Sequence, residues 1–423
     1  MKLFISPSKL SGTVSAPPSK SCMHRTLICA AAADKPTKIL CNSFSKDIEA
    51  TMNALTSLGA KIKYCDEGII VYPIEERAEE CVLNCLESGS TLRFMLPFVA
   101  ALGRKCTFIG AERLGQRPLL PLCEALNSHG VKTEYDKSFL PCRVEGKLSG
   151  TIYEIPGNIS SQFITGLLLA LGVAGGGEIR TTTPIESSPY IDITTDIMKK
   201  FGINVIKTEN GYIVPSGQRY TSPGVVRIEG DYSNAAFWLV AGAIGSEKKV
   251  TTTSLSEETF QGDGKIIDIL SSMGADIRRE KDSVTVYRSK LTAAEIDAAD
   301  VPDIVPVLCV AATAAEGKTN FRNIKRLREK ESDRVKTTVD MIRALGGIID
   351  YDENTICVTG TPLSGGRVTS ANDHRIAMSA AVASLRCSSP VTMDMAEAVY
   401  KSYPDFYEKF TLLGGKCDEL CDR

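Results

Sequence analysis

The sequence is poor in histidine and tryptophan and has no long apolar run. Only three histidines and one tryptophan occur in 423 residues, so a metal site built on histidine has little to draw on. Lys and Arg number 49 against 51 for Asp and Glu, without the positive excess typical of nucleic-acid-binding chains. No segment approaches the ~18 apolar residues of a membrane span, and the N-terminus predicts no secretion signal. We therefore expect a cytoplasmic protein that binds neither membrane nor nucleic acid.

Metal and nucleotide motifs are also missing. The 14 cysteines include no C-x-x-C pair, and none lies between Cys142 and Cys309. This distribution is typical of reduced, mostly buried thiols in a long cytosolic chain. No G-x-G-x-x-G occurs, and Gly317-Lys318-Thr319 lacks the first glycine of a P-loop because Ala312 stands there. The sequence predicts no metal and no cofactor.

Repetition is what the chain has in abundance. A helix that ends in glycine and is followed by two short strands recurs, as in LTSLGAKIKYCDEGIIVYP and LSSMGADIRREKDSVTVYRS, and its sixth copy, FTLLGGKCDEL, is truncated. The helix-ending glycines, spaced by 71, 72, 72, 72 and 68 residues, are Gly59, Gly130, Gly202, Gly274, Gly346 and Gly414. Glycine suits the left-handed residue that ends a helix. Six similar units account for nearly the whole chain.

Each unit also contains a second helix that is apolar around most of its circumference, such as SSQFITGLLLALGVA. The polar residues taken as the starts of these helices are Ser21, Ser90, Ser161, Ser233, Asp303 and Asp373. An all-apolar helix is buried, so its polar start needs a separate explanation. If the helices point the same way, their positive ends converge and favour an anionic ligand. Six such α/β units favour two domains of three, divided near residues 223–230, with a ligand cleft between them.

Two helix starts carry groups suited to anions. Lys20-Ser21-x-x-His24-Arg25 joins cations and a hydroxyl to free backbone N–H groups, a phosphate-binding arrangement; a serine cap with cations reaching solvent is the alternative. Ser160-Ser161-Gln162 offers three short hydrogen-bonding side chains, or only an N-cap. Both segments are therefore candidate binding sites.

Charge is concentrated in residues 326–334, with four cations and three carboxylates. The spacing predicts a helix that carries Lys330 and Arg334 on one face beside Glu331, although a solvated charged helix start is the usual explanation for such a run. The loop at residues 110–118 adds two arginines, Arg113 and Arg117.

Six motifs together resemble the 5-enolpyruvylshikimate-3-phosphate synthase family over essentially the full length. They are Lys20-Ser21-x-x-His24-Arg25, Gly157-Asn158-x-Ser160-Ser161-Gln162, Pro189-Tyr190-x-Asp192-x-Thr194, Lys330-Glu331-Ser332-Asp333-Arg334, Asn372-Asp373-His374-Arg375 and Lys401-Ser402-Tyr403-Pro404-Asp405. The resemblance implies that the carboxyvinyl group of phosphoenolpyruvate is transferred to the 5-hydroxyl of shikimate 3-phosphate, with release of phosphate. It also implies a two-domain inverse α/β barrel with three repeats per domain, residues 1–18 and 229–423 forming one domain and residues 19–228 the other. We expect a monomer.

The resemblance further implies individual roles. The expected shikimate 3-phosphate ligands are Lys20, Ser21, Arg25, Ser160, Ser161, Gln162, Ser187, Asp303 and Lys330. The expected phosphoenolpyruvate ligands are Lys20, Gly89, Arg113, Gln162, Arg334, Arg375 and Lys401. Gly89 is expected to leave space for that substrate. The sequence departs from the family pattern at Glu87, where many members have Asn, and at Arg326-Leu327, which replaces Asn-Trp; both positions concern the pocket wall.

The chemistry explains why these residue types are wanted. The two substrates bring roughly −5 to −6 of charge, counting each phosphate at about −1.5 to −2, and the seven predicted cations offset it. We assign Asp303 as the base toward the 5-hydroxyl and Glu331, assisted by Lys20, as the proton shuttle at the methylene carbon. Lys330 and Lys401 would stabilise the departing phosphate.

Two other functions stay open at this point. A UDP-N-acetylglucosamine enolpyruvyl transferase would share the fold, but that family usually has a reactive cysteine before Arg-Pro. This chain has no cysteine between Cys106 and Cys123. A nucleic-acid-binding clamp of repeats would spread its cations over a surface, whereas here they alternate with carboxylates at helix starts.

Overall fold

The chain divides into two compact units. The computed structural model describes residues 1–75 and 80–420. The discontinuous unit comprises Met1–Pro17 and Glu229–Arg423, and the continuous unit comprises Pro18–Ile228. The N-terminal segment therefore folds with the C-terminal half of the chain.

Thirteen α-helices lie within the described residues. The continuous unit contains α1 (Lys20–Ala32), α2 (Lys46–Ser57), α3 (Gly89–Leu102), α4 (Glu112–Gly115), α5 (Leu120–Asn127), α6 (Ser161–Ala174) and α7 (Pro189–Lys200). The discontinuous unit contains α8 (Tyr232–Gly245), α9 (Ile266–Ser272), α10 (Val305–Thr313), α11 (Arg334–Ala344), α12 (His374–Ser384) and α13 (Phe406–Leu412). It also has short 3₁₀ helices at Gly262–Lys265, Lys325–Glu329 and Ala396–Lys401.

The strands are short and evenly distributed. The chain begins with β1 (Lys2–Ser6) and β2 (Leu10–Ser15) of the discontinuous unit. The continuous unit follows with β3 (Thr37–Leu40), β4 (Lys61–Cys65), β5 (Gly68–Tyr72), β6 (Glu80–Asn84), β7 (Lys105–Ile109), β8 (Val131–Glu134), β9 (Cys142–Gly146), β10 (Ile152–Ile155), β11 (Gly177–Thr181), β12 (Ile206–Thr208), β13 (Gly211–Val214) and β14 (Val225–Arg227). The discontinuous unit resumes with β15 (Ser246–Thr253), β16 (Ile277–Glu280), β17 (Ser283–Tyr287), β18 (Leu291–Thr292), β19 (Glu295–Asp297), β20 (Ala315–Glu316), β21 (Lys318–Arg322), β22 (Ile348–Tyr351), β23 (Thr355–Thr359), β24 (Gly366–Thr369), β25 (Val391–Asp394) and β26 (Lys416–Glu419).

Every repeat forms a four-stranded sheet of one design, in which a parallel pair is extended by two antiparallel strands. The sheets are β14-β3-β5-β4, β6-β7-β9-β8 and β10-β11-β13-β12 in the continuous unit, and β2-β15-β17-β16, β19-β21-β23-β22 and β24-β25-β1-β26 in the discontinuous unit. In four of them an all-apolar helix connects the parallel pair, as α3 connects β6 to β7. This is the crossover that a parallel pair requires.

The N-terminal strands complete sheets that the C-terminal repeats leave unfinished. The truncated sixth copy supplies only β26 after its helix, and β1 takes the missing place between β25 and β26. Ile5 is opposite Val391 on one side and Cys417 on the other. Without β1, both neighbouring strands would present unpaired edges.

The core of each unit is built on three buried helices: α1, α3 and α6 in one, and α8, α10 and α12 in the other. All residues of α10 and α12 are buried, as the all-apolar pattern predicted. Packing is closest between α3 and α6, where a Cβ added at Gly166 would lie 2.3 Å from the carbonyl oxygen of Arg93. The six helix-ending glycines all have φ between +82° and +104°, which confirms their predicted left-handed conformation.

The buried helices begin within two residues of the predicted positions, but several are capped by other residues. Ser19, Ser88, Ser160, Asp231 and Asp373 accept the N–H groups of the first turns. Asp303 caps nothing: α10 starts at Val305, and the side chain of Asp303 is engaged by cations. No helix of residues 1–75 and 80–420 combines the length and the apolar character needed to traverse a bilayer.

Candidate active site

Arg334, the first residue of α11, is the centre of a charged cluster in the discontinuous unit. Its side chain is 1% exposed, and three of its nitrogens donate to carboxylates. Nε binds Asp373 at 2.8 Å, Nη1 binds Asp303 at 2.7 Å and Nη2 binds Glu331 at 2.6 Å. Burial disfavours the cation, but the carboxylates outweigh it and raise the pKa of Arg334 well above its ordinary value. One guanidinium therefore connects the segments that begin α10, α11 and α12.

Asp303 is the carboxylate that receives the most positive charge. Its Oδ1 accepts from Lys330 Nζ at 3.1 Å as well as from Arg334, and its Oδ2 lies 3.8 Å from Arg375 Nη2. Burial alone would raise the pKa of Asp303, but the three cations hold it well below its usual range. The group is therefore an ionised carboxylate at neutral pH.

The predicted helical face for Lys330 and Arg334 is wrong. The 3₁₀ helix ends at Glu329, Lys330 has extended backbone dihedrals, and α11 begins only at Arg334. Asp333 causes this break because its carboxylate caps the first turn of α11. Lys330 and Arg334 still meet, since both reach the same oxygen of Asp303.

Arg375 and Lys401 lie at the start of α12. Arg375 Nη1 donates to Asn234 Oδ1 at 3.0 Å, while its buried Nε has no partner among the described residues. Lys401 donates to the carbonyl oxygen of Asn372, one residue before the cap of α12. Arg375 retains donor capacity for an anion, which fits the role predicted for it.

Asp263 is a second acidic group close to this cluster. It lies in the 3₁₀ helix Gly262–Lys265, is 3% exposed, and accepts a hydrogen bond from Ser233 Oγ. Its Oδ1 has no partner in the described part of the chain. Burial, reinforced by the negative charge of Asp303, raises the pKa of Asp263 to about 7. Sequence reasoning did not single this residue out.

In the continuous unit, Lys20 opens α1 and pairs with Asp47 at 2.9 Å. Both side chains are largely but not completely buried, with 17% and 12% exposure. Ser21 lies in the first helical turn, and its carbonyl oxygen accepts from Arg25. The cation and hydroxyl predicted at this helix start are therefore present, and the lysine forms an ion pair with Asp47.

Arg25 is bound by neutral groups. Its Nε donates to Thr194 Oγ1 at 2.7 Å, Nη1 to the carbonyl oxygen of Ser21 at 2.7 Å, and Nη2 to that of Tyr190 at 2.9 Å. The guanidinium carbon lies 4.9 Å from the centre of the Phe94 ring. Burial lowers the pKa of Arg25 to about 10, so it stays charged at neutral pH. Two of these three bonds join α1 to α7, and the third stays within α1.

Gln162 is positioned at the start of α6 by two residues of α3. Arg93 Nη1 donates to Gln162 Oε1 at 2.7 Å, and Gln162 Nε2 donates to Ser90 Oγ at 3.0 Å. Ser160 is the N-cap, and Ser161 is the first, buried residue of the helix. Ser187, predicted on the same side, is buried with φ of 54° just before α7. The amide of Gln162 is thus held in one orientation.

The space beside Gly89 is filled by an arginine. A Cβ at Gly89 would lie 2.5 Å from Arg117 Nη1, and the buried Nε of Arg117 has no partner within the described residues. Arg113, the residue predicted to bind phosphoenolpyruvate, is exposed on the short helix α4. Of the two arginines in this loop, Arg117 is therefore the one that lies against Gly89.

Several residues that organise these clusters were not predicted, although a signal for them was present. Asn234 is a buried amide in an otherwise apolar α8, and Arg93 is a buried cation in the apolar α3. A polar residue inside an all-apolar helix calls for a buried partner. Asp373 was predicted as a helix start and as part of a motif but was given no role in the site, yet it binds Arg334 and Ser332.

The fold and these clusters define a class of protein. The enolpyruvyl transferase NikO from Streptomyces tendae has the same fold, with a TM-score of 0.81, 17% identity, and coverage of 100% of this chain and 99% of that one. An EPSP synthase structure from Acinetobacter baumannii matches with a TM-score of 0.82 and 25% identity, over 99% and 100% of the two chains. The predicted two-domain inverse α/β barrel is confirmed, and it is the fold of the enolpyruvyl transferases.

The family follows from the sequence comparisons. Residues 5–410 match the family model described as EPSP synthase (3-phosphoshikimate 1-carboxyvinyltransferase). A 3-phosphoshikimate 1-carboxyvinyltransferase from Clostridium kluyveri is 41% identical over 419 residues, 98% of each chain. The chain belongs to the EPSP synthase family. This confirms the resemblance seen in the motifs and decides against the UDP-N-acetylglucosamine alternative.

Proposed function

We propose that this chain transfers the carboxyvinyl group of phosphoenolpyruvate to the 5-hydroxyl of shikimate 3-phosphate and releases phosphate. The family membership supports the reaction. Within the molecule, the observation that carries the proposal is Asp303, a carboxylate held by Lys330 and Arg334 at 3.1 and 2.7 Å and faced by Arg375. A base surrounded by anion-binding groups is what this bisubstrate reaction needs.

Shikimate 3-phosphate is proposed to bind residues at three helix starts of the continuous unit and two residues of the discontinuous unit. The set is Lys20, Ser21, Arg25, Ser160, Ser161, Gln162, Ser187, Asp303 and Lys330. The N-terminal ends of α1 and α6 add backbone N–H groups and positive dipoles that favour a phosphate. Because Arg25 already donates to four neutral partners, its contribution is mainly a buried positive charge.

Phosphoenolpyruvate is proposed to bind Lys20, Gly89, Gln162, Arg334, Arg375, Lys401 and one loop arginine, for which the sequence predicted Arg113. The partnerless Nε of Arg375 supports its part in this set. Contact with Gly89 favours Arg117 over Arg113 for the role given to the loop arginine. Anionic substrates are then met by guanidinium groups whose fork geometry suits carboxylate and phosphate.

Asp303 is proposed to take the proton of the 5-hydroxyl. Its depressed pKa keeps it ionised, which is the correct state for a base, but makes it a weak one. Lys330 and Arg334, which depress the pKa, are also proposed substrate ligands. When substrate anions neutralise these cations, the pKa of Asp303 rises, so that substrate binding itself strengthens the base.

Glu331, assisted by Lys20, is proposed to move the second proton. The methylene carbon of phosphoenolpyruvate gains a proton while the hydroxyl attacks the neighbouring carbon, giving a tetrahedral intermediate. The resulting methyl group then loses a proton as the C–O bond to phosphate breaks. Glu331 and Asp303 bind the same guanidinium of Arg334, so the charge state of each acts on the other. Lys330 and Lys401 are proposed to stabilise the departing phosphate.

The proposal is tested by measuring phosphate release from phosphoenolpyruvate with and without shikimate 3-phosphate. Release that requires both substrates, together with a product heavier than shikimate 3-phosphate by the carboxyvinyl group, is the expected result. Release without shikimate 3-phosphate, or no release with it, would contradict the proposal.

The cellular setting is proposed on more general grounds. The described cysteines are all free thiols, which supports a reducing, cytoplasmic location. We also propose a monomer that binds no nucleic acid. Light scattering of the eluting protein and titration with fluorescent duplex DNA test these two statements.

A further inference from the structure

Two neighbouring strands of the second repeat place a pair of cysteines side by side. Cys81 on β6 and Cys106 on β7 are opposite each other in the parallel register. Cys81 shares a face of its strand with the buried Leu83, and Cys106 with the buried Phe108, so both side chains lie on the inner face of the sheet. Their Sγ atoms are 2.8 Å apart. Neighbouring strands of a sheet lie about 4.8 Å apart. This spacing falls within the ~4.4–6.8 Å between the Cα atoms of two cysteines joined by a disulfide.

The two thiols differ in exposure and acidity. Cys106 is 1% exposed, whereas Cys81 is half-buried. The hydrogen bond with the Cys106 thiol lowers the pKa of Cys81, and the positive charge of Arg104 adds to this effect. The same hydrogen bond, together with burial, raises the pKa of Cys106. Cys81 is therefore the thiol that a reagent in solution reaches first, and the one that ionises first.

We propose that Cys81 and Cys106 form a reversible intramolecular disulfide when the protein meets a low-molecular-weight disulfide such as oxidised glutathione. The Cys81 thiolate attacks one sulfur of the oxidant, forming a mixed disulfide and releasing one thiolate. Cys106 then loses its proton and attacks Cys81 Sγ, which releases the second thiolate. Two protein thiols are oxidised and one small disulfide is reduced to two thiols. This inference does not depend on the proposed function.

The same repeat contains a matched pair for comparison. Cys123 on α5 and Cys142 on β9 also share a thiol hydrogen bond. Both are 0% exposed, so no oxidant in solution reaches either sulfur in the folded protein. The thiols are close together in both pairs, but only the first pair has a partly exposed member. Of the two pairs, we therefore expect only Cys81 and Cys106 to form a disulfide.

The experiment treats the native full-length protein with oxidised glutathione, alkylates the remaining thiols after denaturation, and digests the chain without reduction. The expected result is a loss of two of the 14 thiols, a cross-linked peptide pair containing Cys81 and Cys106, and full recovery with dithiothreitol. Since Cys85 lies in the same tryptic peptide as Cys81, fragment ions must assign the bond.

Three variants make the outcome decisive. Cys81→Ser should abolish the loss of thiols, because the attacking thiol is gone. Cys106→Ser should stop at the mixed disulfide and retain one glutathione per chain on Cys81. Cys123→Ser, the control, should still form the cross-link between Cys81 and Cys106. The proposal is overturned if the wild-type protein keeps all its thiols or stops at the mixed disulfide. It is equally overturned if the bond joins Cys81 to Cys85 or Cys123 to Cys142, or if Cys81→Ser still loses two thiols.

Discussion

The two units share one architecture but differ in what lies at the starts of their buried helices. In the discontinuous unit, the described contacts there are largely ionic and centre on Arg334 and Asp303. In the continuous unit, the corresponding contacts are mostly hydrogen bonds of hydroxyl and amide groups. Examples are the chain of Thr51, Thr91 and Ser88 and the Thr165–Thr194 pair beside Arg25. Carboxylates can exchange protons near neutral pH, whereas hydroxyls and amides chiefly orient a ligand. We therefore propose that the carboxylates that move protons belong to the discontinuous unit, while residues of both units contribute to holding the substrates.

The largest effect should come from removing the central cation of the ionic cluster. Arg334→Met leaves three carboxylates close together without their guanidinium, and breaking a buried pair in this way costs about 3–5 kcal/mol of unfolding free energy. Chemical denaturation of purified protein measures it. As a control, Arg322→Met removes only an exposed ion pair with Glu295, so its loss of stability should be much smaller. Equal losses in the two variants would contradict a central role for Arg334.

Loss of the base should act on turnover rather than on binding. Asp303→Ala is expected to lower kcat by about 10²–10⁴-fold, the usual contribution of a general base, while largely sparing phosphoenolpyruvate binding. Steady-state kinetics with both substrates measures the separation, and Asp300→Asn, at an exposed carboxylate paired with Lys265, is the control. An unchanged turnover number would refute the role of Asp303.

The loop arginines test how the continuous unit holds its anion. Because Arg117 lies against Gly89 and Arg113 is exposed, Arg117→Ala should lower kcat/KM for phosphoenolpyruvate by roughly 30-fold or more, as losing one partner of a buried charge contact does. Arg113→Ala should change it by less than about 5-fold, as expected at an exposed site. The reverse order would restore Arg113 as the ligand.

A buried arginine with neutral partners should be easier to replace than Arg334. Arg25→Met leaves hydroxyl and carbonyl groups unpaired instead of carboxylates, and we expect a loss of about 1–3 kcal/mol. Denaturant titration of Arg25→Met and Arg334→Met side by side gives the difference directly. A larger loss for Arg25→Met would reverse the comparison between the units.

The ionic cluster should also make stability depend on pH through Asp263. Its pKa of about 7 in the folded protein exceeds its ordinary value of 3.8, so the folded state holds the extra proton. The stabilisation is complete below about pH 4 and is lost as the pH rises to about 7. The loss is at most about 1.4 kcal/mol per pH unit. Denaturation at pH 5 and pH 8 should show the wild type losing more stability than Asp263→Asn. Parallel losses would contradict the raised pKa.

Much of this fold could be predicted because its signals are local. The spacing of Gly59 and its five counterparts, and the all-apolar stretches such as α6, indicated six units and their buried helices. Helix starts were less well predicted, because Ser19 and Ser21 are equally plausible caps in the sequence and only the backbone conformation selects one. For the candidate site, a helix start indicated Asp303 and a motif indicated Lys330 and Arg334, but neither indicated the contacts that join them.

The sequence by itself determined the family, the number of repeats and the residue types available for anion binding and proton transfer, since these depend on local order and spacing. Tertiary structure alone decided that Lys330 leaves the helix yet reaches Asp303, and that Arg117 rather than Arg113 lies against Gly89. Tertiary structure likewise places β1 between β25 and β26. The paired residues Ile5 and Val391 are 386 positions apart in the sequence. Such pairings join residues that are far apart in the chain, and local periodicity does not predict them. The partners are selected because each sheet must complete its hydrogen bonds and each buried charge must be balanced.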